Sequence, residues 1–197
     1  MKKNDVFKCL IFAFTLFLFQ SCCSPEIIGN VPNSLSPQET NNWCWAATTK
    51  MLAAHFGIGV NQCDLANHSF NKNNCCNDEP SDGSCRKINS CNTPGWLELD
   101  FVGLKFLETE TALSWDALQN QVFCSKKPMG YAYGTSGVVG HVLVIKGYVT
   151  VGGTNYVVLN DPWAPCSGQE RLITYAEYAD PAGASTHWRT FYNIEKK

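Results

Sequence analysis

The chain has 197 residues, 45% hydrophobic and 16% charged, and its 15 Lys+Arg stand against 17 Asp+Glu for a net charge of −2. That length fits one domain rather than two, since domains run to about 100–200 residues, and the missing basic excess argues against a nucleic-acid partner. The unusual figure is 11 cysteines, because cytosolic chains keep few and keep them reduced.

Lys2, Lys3 and Lys8 precede and border an apolar run over residues 9–19, the charged and hydrophobic regions of a secretory signal. The run is shorter than the about 20 residues that span a bilayer. It ends in Phe19-Gln20-Ser21-Cys22-Cys23, and a small residue before a cysteine after such a run resembles a bacterial lipoprotein box, with Cys22 as the lipidated residue. Residues 1–21 are therefore read as a signal peptide, residues 22–37 as a tether with three prolines and no periodicity, and residues 38–197 as the folded domain. The expected location is outside the cytosol, on a membrane by acyl chains or secreted.

Setting aside Cys9, Cys22 and Cys23 leaves Cys44, Cys63, Cys75, Cys76, Cys85, Cys91, Cys124 and Cys166, which outside the cytosol are expected in disulfides. Five of them, from Cys63 to Cys91, crowd an Asn/Asp/Ser-rich stretch with too few apolar residues to hold itself together by burial. Zinc is the rival account, but Cys75-Cys76, Cys85 and Cys91 lack the paired spacing of structural zinc. No metal or other cofactor is expected.

The clearest helix spans residues 44–56, rich in Ala without Pro or Gly, with Asn41 and Asn42 as candidate N-caps and Gly57 as a left-handed stop. Trp45, Thr49, Leu52 and Phe56 form its mostly apolar stripe and place it centrally. A short helical piece is expected at 64–68, a helix after Thr93-Pro94 over 96–102, and another after Ser114 over 115–122. Beyond Pro128 the pattern turns to strands, at 129–133, 141–149, 155–160, 171–175 and 188–194, with Gly152-Gly153 as a hairpin turn. The class is α+β: a helical first half packed on an antiparallel second half, with a seam where a site can form.

Cys44 alone among these cysteines opens a strong helix, where free N–H groups and the dipole favour a thiolate. A thiolate nucleophile works with an imidazole, itself oriented by a third polar group. His55 lies on the same helix, about 16 Å along at 1.5 Å per residue, and cannot reach. His68 sits in the cysteine-rich loop, and His187 near the C-terminus has no evident polar partner. His141 starts the strand HVLVIKGYV, and the hairpin returns through Tyr156 to Asn160-Asp161, which brings one of these two to the histidine's end of the hairpin.

At this point the residues carry a resemblance. Gln38, then five residues, then Cys44-Trp45-Ala46 resemble the oxyanion glutamine and nucleophile segment of papain-like cysteine peptidases, and GHVLVIKGY and VVLNDPW resemble that superfamily's histidine strand and its Asn or Asp near a Trp. Nearest in style are compact bacterial members such as bacteriocin-leader-processing and plant-pathogen effector peptidases. The resemblance covers residues 38–163. It implies Cys44 as nucleophile, His141 as general acid/base, Asp161 as its orienting residue with Asn160 as fallback, Gln38 as oxyanion donor, and Trp163 as the indole shielding the His–Asp contact. It also implies peptide-bond hydrolysis on a protein or peptide substrate by a monomer. The same residues would serve a deamidase or acyltransferase, and a non-catalytic binding module is the third reading. Asn41 stands where papain has a disulfide cysteine, and with Cys44 reserved the remaining seven cysteines are odd in number, which leaves one free, paired between molecules, or capping Cys44.

Overall fold

A computed structural model describes residues 23–77, 85–86, 89–135, 140–183 and 185–197. The proposed signal sequence and Cys22 lie outside these residues. From residue 23 the chain is not a free tether. Ile28–Asn30 forms strand β1, Val31 is fully buried, and Cys23 is disulfide-bonded to Cys124.

Helix α1, Cys44–His55, follows where expected, and Gly57 adopts a φ of 71° just beyond it. The expected Asn caps are not used: Trp43 holds the N-cap position without a side-chain hydrogen bond. The amide of Asn42 instead donates to the Asn92 carbonyl at 2.9 Å. Helix α2, Gln62–Ser69, is longer than expected. The helix expected over 96–102 does not form. Its polar groups serve α1 instead: Trp45 Nε1 donates to the Thr93 carbonyl at 3.2 Å and the Glu98 N–H to Thr49 Oγ1 at 3.1 Å. A side chain at Gly95 would sit 2.8 Å from the Trp45 ring.

Strand β2, Leu104–Thr109, follows and was not anticipated. Helix α3, Trp115–Gln119, is capped by Ser114 Oγ, which accepts from the Ala117 N–H, and it continues as a π-type turn over Asn120–Cys124. Then come β3 (Met129–Gly134), β4 (His141–Val151), β5 (Thr154–Asp161) and β6 (Gln169–Thr174), the short helix α4 (Tyr175–Ala179), and β7 (Thr186–Lys196). Gly152 and Gly153, at φ 57° and 81°, make the β4–β5 turn that asks for two left-handed residues.

The seven strands form one antiparallel sheet in the order β2-β7-β3-β4-β5-β6, with β1 on β4. The second half is thus the expected antiparallel unit, while the first half adds two strands and one helix fewer than predicted. One face buries Met129, Tyr131, Leu143, Leu159 and Ile173 beneath Leu118 of α3 and Tyr178 of α4. The other buries Ala132, Val142, Val144 and Phe191 against Met51 and Leu52 of α1. A third cluster joins Trp43, Trp45 and Ala46 to Cys63 and Leu65 of α2 and to Cys75 and Cys91. With cores on both flanks, α1 is buried nearly all round, so its stripe was narrower than its burial.

The cysteines pair as Cys23–Cys124, Cys63–Cys76, Cys75–Cys91 and Cys85–Cys166, and Cys44 is the free one among the described residues. The odd count is thereby resolved: Cys23, set aside with the leader, is the partner of Cys124.

Candidate active site

The site forms where the start of α1 meets one end of the sheet. Segment 38–43 approaches α1 without regular structure, so its course is set by side chains. Gln38 Nε2 donates to the carbonyls of Thr40 and Asn41, both at 2.8 Å. Asn92 Oδ1 accepts from Thr40 Oγ1 and the Asn42 N–H, and Gln62 bridges the Pro37 carbonyl and the Glu39 N–H. The Cys85–Cys166 disulfide and the Arg86–Glu39 ion pair tie the cysteine-rich loop to the same region. Uncapped, α1 leaves the Cys44 N–H without a hydrogen-bond partner among the described residues, and the dipole makes that end receptive to negative charge.

On the sheet, strand parity sorts the candidates, because successive side chains alternate between faces. Val144 pairs with Asn160, so Asn160 shares the α1-facing side and Asp161 shares the other side with His141. Asn160 Nδ2 accordingly donates to the backbone and side-chain oxygens of Asn33, at 2.8 and 3.0 Å, and takes no part in the site as the fallback. His141 Nε2 meets Asp161 Oδ1 at 2.6 Å. The same rule extends to β6: Asp161 pairs with Gln169, and Arg171, two residues on, donates from Nη1 to Asp161 Oδ2 at 2.7 Å. Tyr133 pairs directly with His141 and lines the same cleft as Arg171.

A cleft of about 340 Å³ exposes this row. Its walls include Asn41, Cys44, Tyr133, His141, Asp161 and Arg171. Cys44 is 7% exposed and lines the cleft with His141, whose imidazole its sulfur influences. Burial pulls the imidazole pKa down, but hydrogen bonds to Asp161 and Cys44, with their negative charge, outweigh it and push it up to about 9. Burial acts to raise the Asp161 carboxyl, which is 2% exposed. Bonds from His141, Arg171 and the Trp163 N–H hold it below the usual carboxylate range.

Two site expectations change. Gln38 is fully buried with both amide hydrogens on backbone carbonyls, so it braces the approach to α1 rather than presenting a donor to the cleft. The Trp163 side chain is 48% exposed and its backbone N–H, not its ring, touches Asp161; the second oxygen of Asp161 is covered by Arg171. The other histidines are elsewhere. His55 bonds the Pro32 carbonyl, His68 pairs with Glu98, and His187, contrary to expectation, has two partners in the Tyr178 carbonyl and Thr190 Oγ1. Arg171 and Tyr133 were missed, because parity finds them only once the register across β3–β6 is known.

An imidazole held between a thiol and a carboxylate, at a helix start beside a cleft, is the arrangement of a cysteine-dependent acyl-transfer site. Residues 30–194 match the Peptidase C39 like family model. The chain belongs to that family, within the papain-like cysteine peptidase superfamily. Among curated proteins none matches it in sequence. Of solved structures, one described for the limited antibody cross reactivity between the mite allergens Blo t 1 and Der p 1 superposes with a TM-score of 0.54 at 12% identity, over 89% of this chain and 73% of that one; this similarity is one of fold. A double glycine motif protease from an AMS/PCAT transporter, in complex with the leader peptide, gives 0.47 at 16% identity over 86% and 95%. Digestive procathepsin L 3 of Tenebrio molitor larval midgut gives 0.49 at 12% identity over 85% and 71%.

Proposed function

We propose that the protein is an exported cysteine peptidase that cleaves peptide bonds through a Cys44 thioester. What carries this reading is His141, bound to Asp161 Oδ1 at 2.6 Å and lining one cleft with Cys44, whose sulfur favours the charged imidazole. In it, Cys44 Sγ attacks the scissile carbonyl carbon as a thiolate, and the negative charge that develops on the carbonyl oxygen lies against the open Cys44 N–H. Collapse breaks the C–N bond, with the His141 proton passing to the departing amine. Water then attacks the thioester, giving one proton to His141; the C–S bond breaks, releasing the acid and restoring the Cys44 thiolate beside the protonated imidazole. Asp161 keeps the ring in the tautomer that serves both halves.

Export is supported by the four disulfides, which belong to oxidising compartments. No helix among the described residues is long and apolar enough to cross a membrane. Lipid attachment at Cys22 fits the pairing of Cys23, since cleavage before Cys22 retains Cys23 for its bond to Cys124.

The test is cleavage of an internally quenched peptide library by the chain starting at Cys23, with Cys44→Ala and His141→Ala beside it and iodoacetamide labelling of Cys44 followed from pH 4 to 10. Cleavage by the wild type alone, with labelling at acid pH that collapses in His141→Ala, is expected. An equally active His141→Ala protein overturns the assignment, and a labelled but non-cleaving wild type moves the acceptor from water to an amine.

A further inference from the structure

Behind the row of Tyr133 and Arg171 lies a second cavity, of about 200 Å³, on the sheet face away from α1. Those two residues line both it and the active-site cleft; Tyr131, Leu143, Ile173 and Glu177 are among its other walls. Independent small-molecule sites are larger, about 300–1,000 Å³, so the volume suits one side chain of something already held in the cleft.

Its chemistry is specific. Leu143 and Ile173 offer an aliphatic lining, and the rings of Tyr131 and Tyr133 stack at 5.3 Å, presenting π-surface of the kind that attracts cations within about 6 Å. Glu177, on α4, bonds Thr174 through its backbone N–H, while its carboxylate has no hydrogen bond or ion pair among the described residues. Arg171, the one cation among the lining residues, is already bound to Asp161. Burial pushes the Tyr131 phenol up, and the neighbouring Tyr133, Tyr178 and Glu177 add to the shift. Arg171, bound to Asp161, opposes that shift, which leaves the Glu177 carboxylate as the charge open to a ligand. An apolar stem with a positive end matches all of these features, and an acidic or purely aliphatic group matches only some.

We propose that this cavity is a specificity subsite for a basic side chain, lysine being the probe, of the peptide bound in the cleft, with Glu177 as the counter-charge. The proposal rests on the peptidase reading for its occupant. The wild-type chain is given quenched peptides in which lysine, norleucine or glutamate replaces each residue around the cleaved bond in turn. At one position lysine should exceed norleucine in kcat/KM by about tenfold, the ratio that about 1.4 kcal/mol supports. The ratio should collapse in Glu177→Gln, persist in Glu177→Asp, and turn toward glutamate in Glu177→Lys. No lysine preference at any position, or one that survives Glu177→Gln, overturns the proposal. If the wild type cleaves no peptide, the peptidase reading fails separately, and ¹⁵N-labelled Cys44→Ala protein is titrated with N-acetyl-lysine methylamide and its norleucine analogue. Shifts at Tyr131, Tyr133 and Glu177 with the lysine compound alone sustain the subsite; equal or absent shifts overturn it.

Discussion

The two sides of the cleft are built by different physics. On the sheet side, His141, Asp161 and Arg171 lie on three neighbouring strands, and their meeting follows from ladder register over apolar cores on both faces. On the helix side, segment 38–43 has no ladder, and its course depends on the amides of Gln38, Gln62 and Asn92, the Cys85–Cys166 link and the Arg86–Glu39 pair. A strand can be trusted to place a side chain because a one-residue slip would turn its whole buried face outward. An irregular segment has no such penalty, and cross-links with buried polar ties take over that work. The Cys44–His141 pair is therefore assembled from one partner fixed by register and one fixed by staples.

The largest effects should come from the pair itself. Cys44→Ala and His141→Ala should each lower kcat/KM by at least about 10⁴-fold, as removal of a nucleophile or its base does elsewhere, with the fold retained by circular dichroism. Parity sharpens the next comparison. Asp161→Ala should lower kcat by about 10²–10⁴-fold, the range of positioned acid–base catalysis. Asn160→Ala, one residue away on the opposite face, should leave kcat within about threefold. It should instead lower stability by about 1–3 kcal/mol by leaving the Asn33 backbone acceptor unpaired. Similar kinetic losses in both would break the parity account.

Arg171 tests whether the sheet side extends beyond the pair. Arg171→Met removes the donor on Asp161 Oδ2 and frees that carboxylate to turn, so kcat should fall by about tenfold with KM little changed, on the order of one charged hydrogen bond. Arg171→Lys should recover most of it. The His141 Nε2–H proton resonance, shifted downfield by its bond to Asp161, should weaken in Arg171→Met and return in Arg171→Lys, which a loss of general stability would not produce. An unchanged resonance and kcat in a folded Arg171→Met protein would remove Arg171 from the site.

How far the sequence went follows the same division. The strand half was legible because its apolar runs and Gly or Asp-Pro breaks are local signals, and β3–β7 fall within a few residues of expectation. Which of Asn160 and Asp161 faces His141 was not legible, since it turns on the register with a bulge between Ile145 and Gly147. Arg171 was hidden for the same reason. On the helix side, α1 was clear from composition. The lost helix over 96–102 was not, because Gly95, Trp45 and Thr49 settle it through contacts distant in sequence. The partner of Cys124 was missed because Cys23 looked like part of the leader. Gln38 stands at the expected spacing, but spacing does not say where two amide hydrogens point.

The Cys23–Cys124 bond should matter for stability rather than chemistry. It spans a sequence separation of 101 residues, and loops of that length give about 4.7 kcal/mol in the chain-entropy account, with about 2–5 kcal/mol typical of native disulfides. A chain starting at Ser24 with Cys124→Ala should unfold at lower urea while each folded molecule retains the wild-type kcat. Loss of kcat at full folding would couple that distant staple to the cleft.

The smallest expected effect is a pH dependence confined to the sheet side. In the folded chain His141 is pushed up to about 9, above the about 6.5 of an unfolded histidine. The stabilisation from its charged form is therefore complete below about pH 6.5 and lost as pH rises through 9. Asp161, held below the usual range, acts in the opposite sense: its contribution is present above about pH 4, the unfolded value, and fades as pH falls through its folded value. Between these limits both partners are charged and the pair contributes fully. The urea midpoint of the wild type should thus drop between pH 7 and 10 relative to that of His141→Ala, while the two should run in parallel from pH 5 to 6.5. A wild-type midpoint that tracks His141→Ala up to pH 10 would mean that the imidazole is not held as a cation between Cys44 and Asp161.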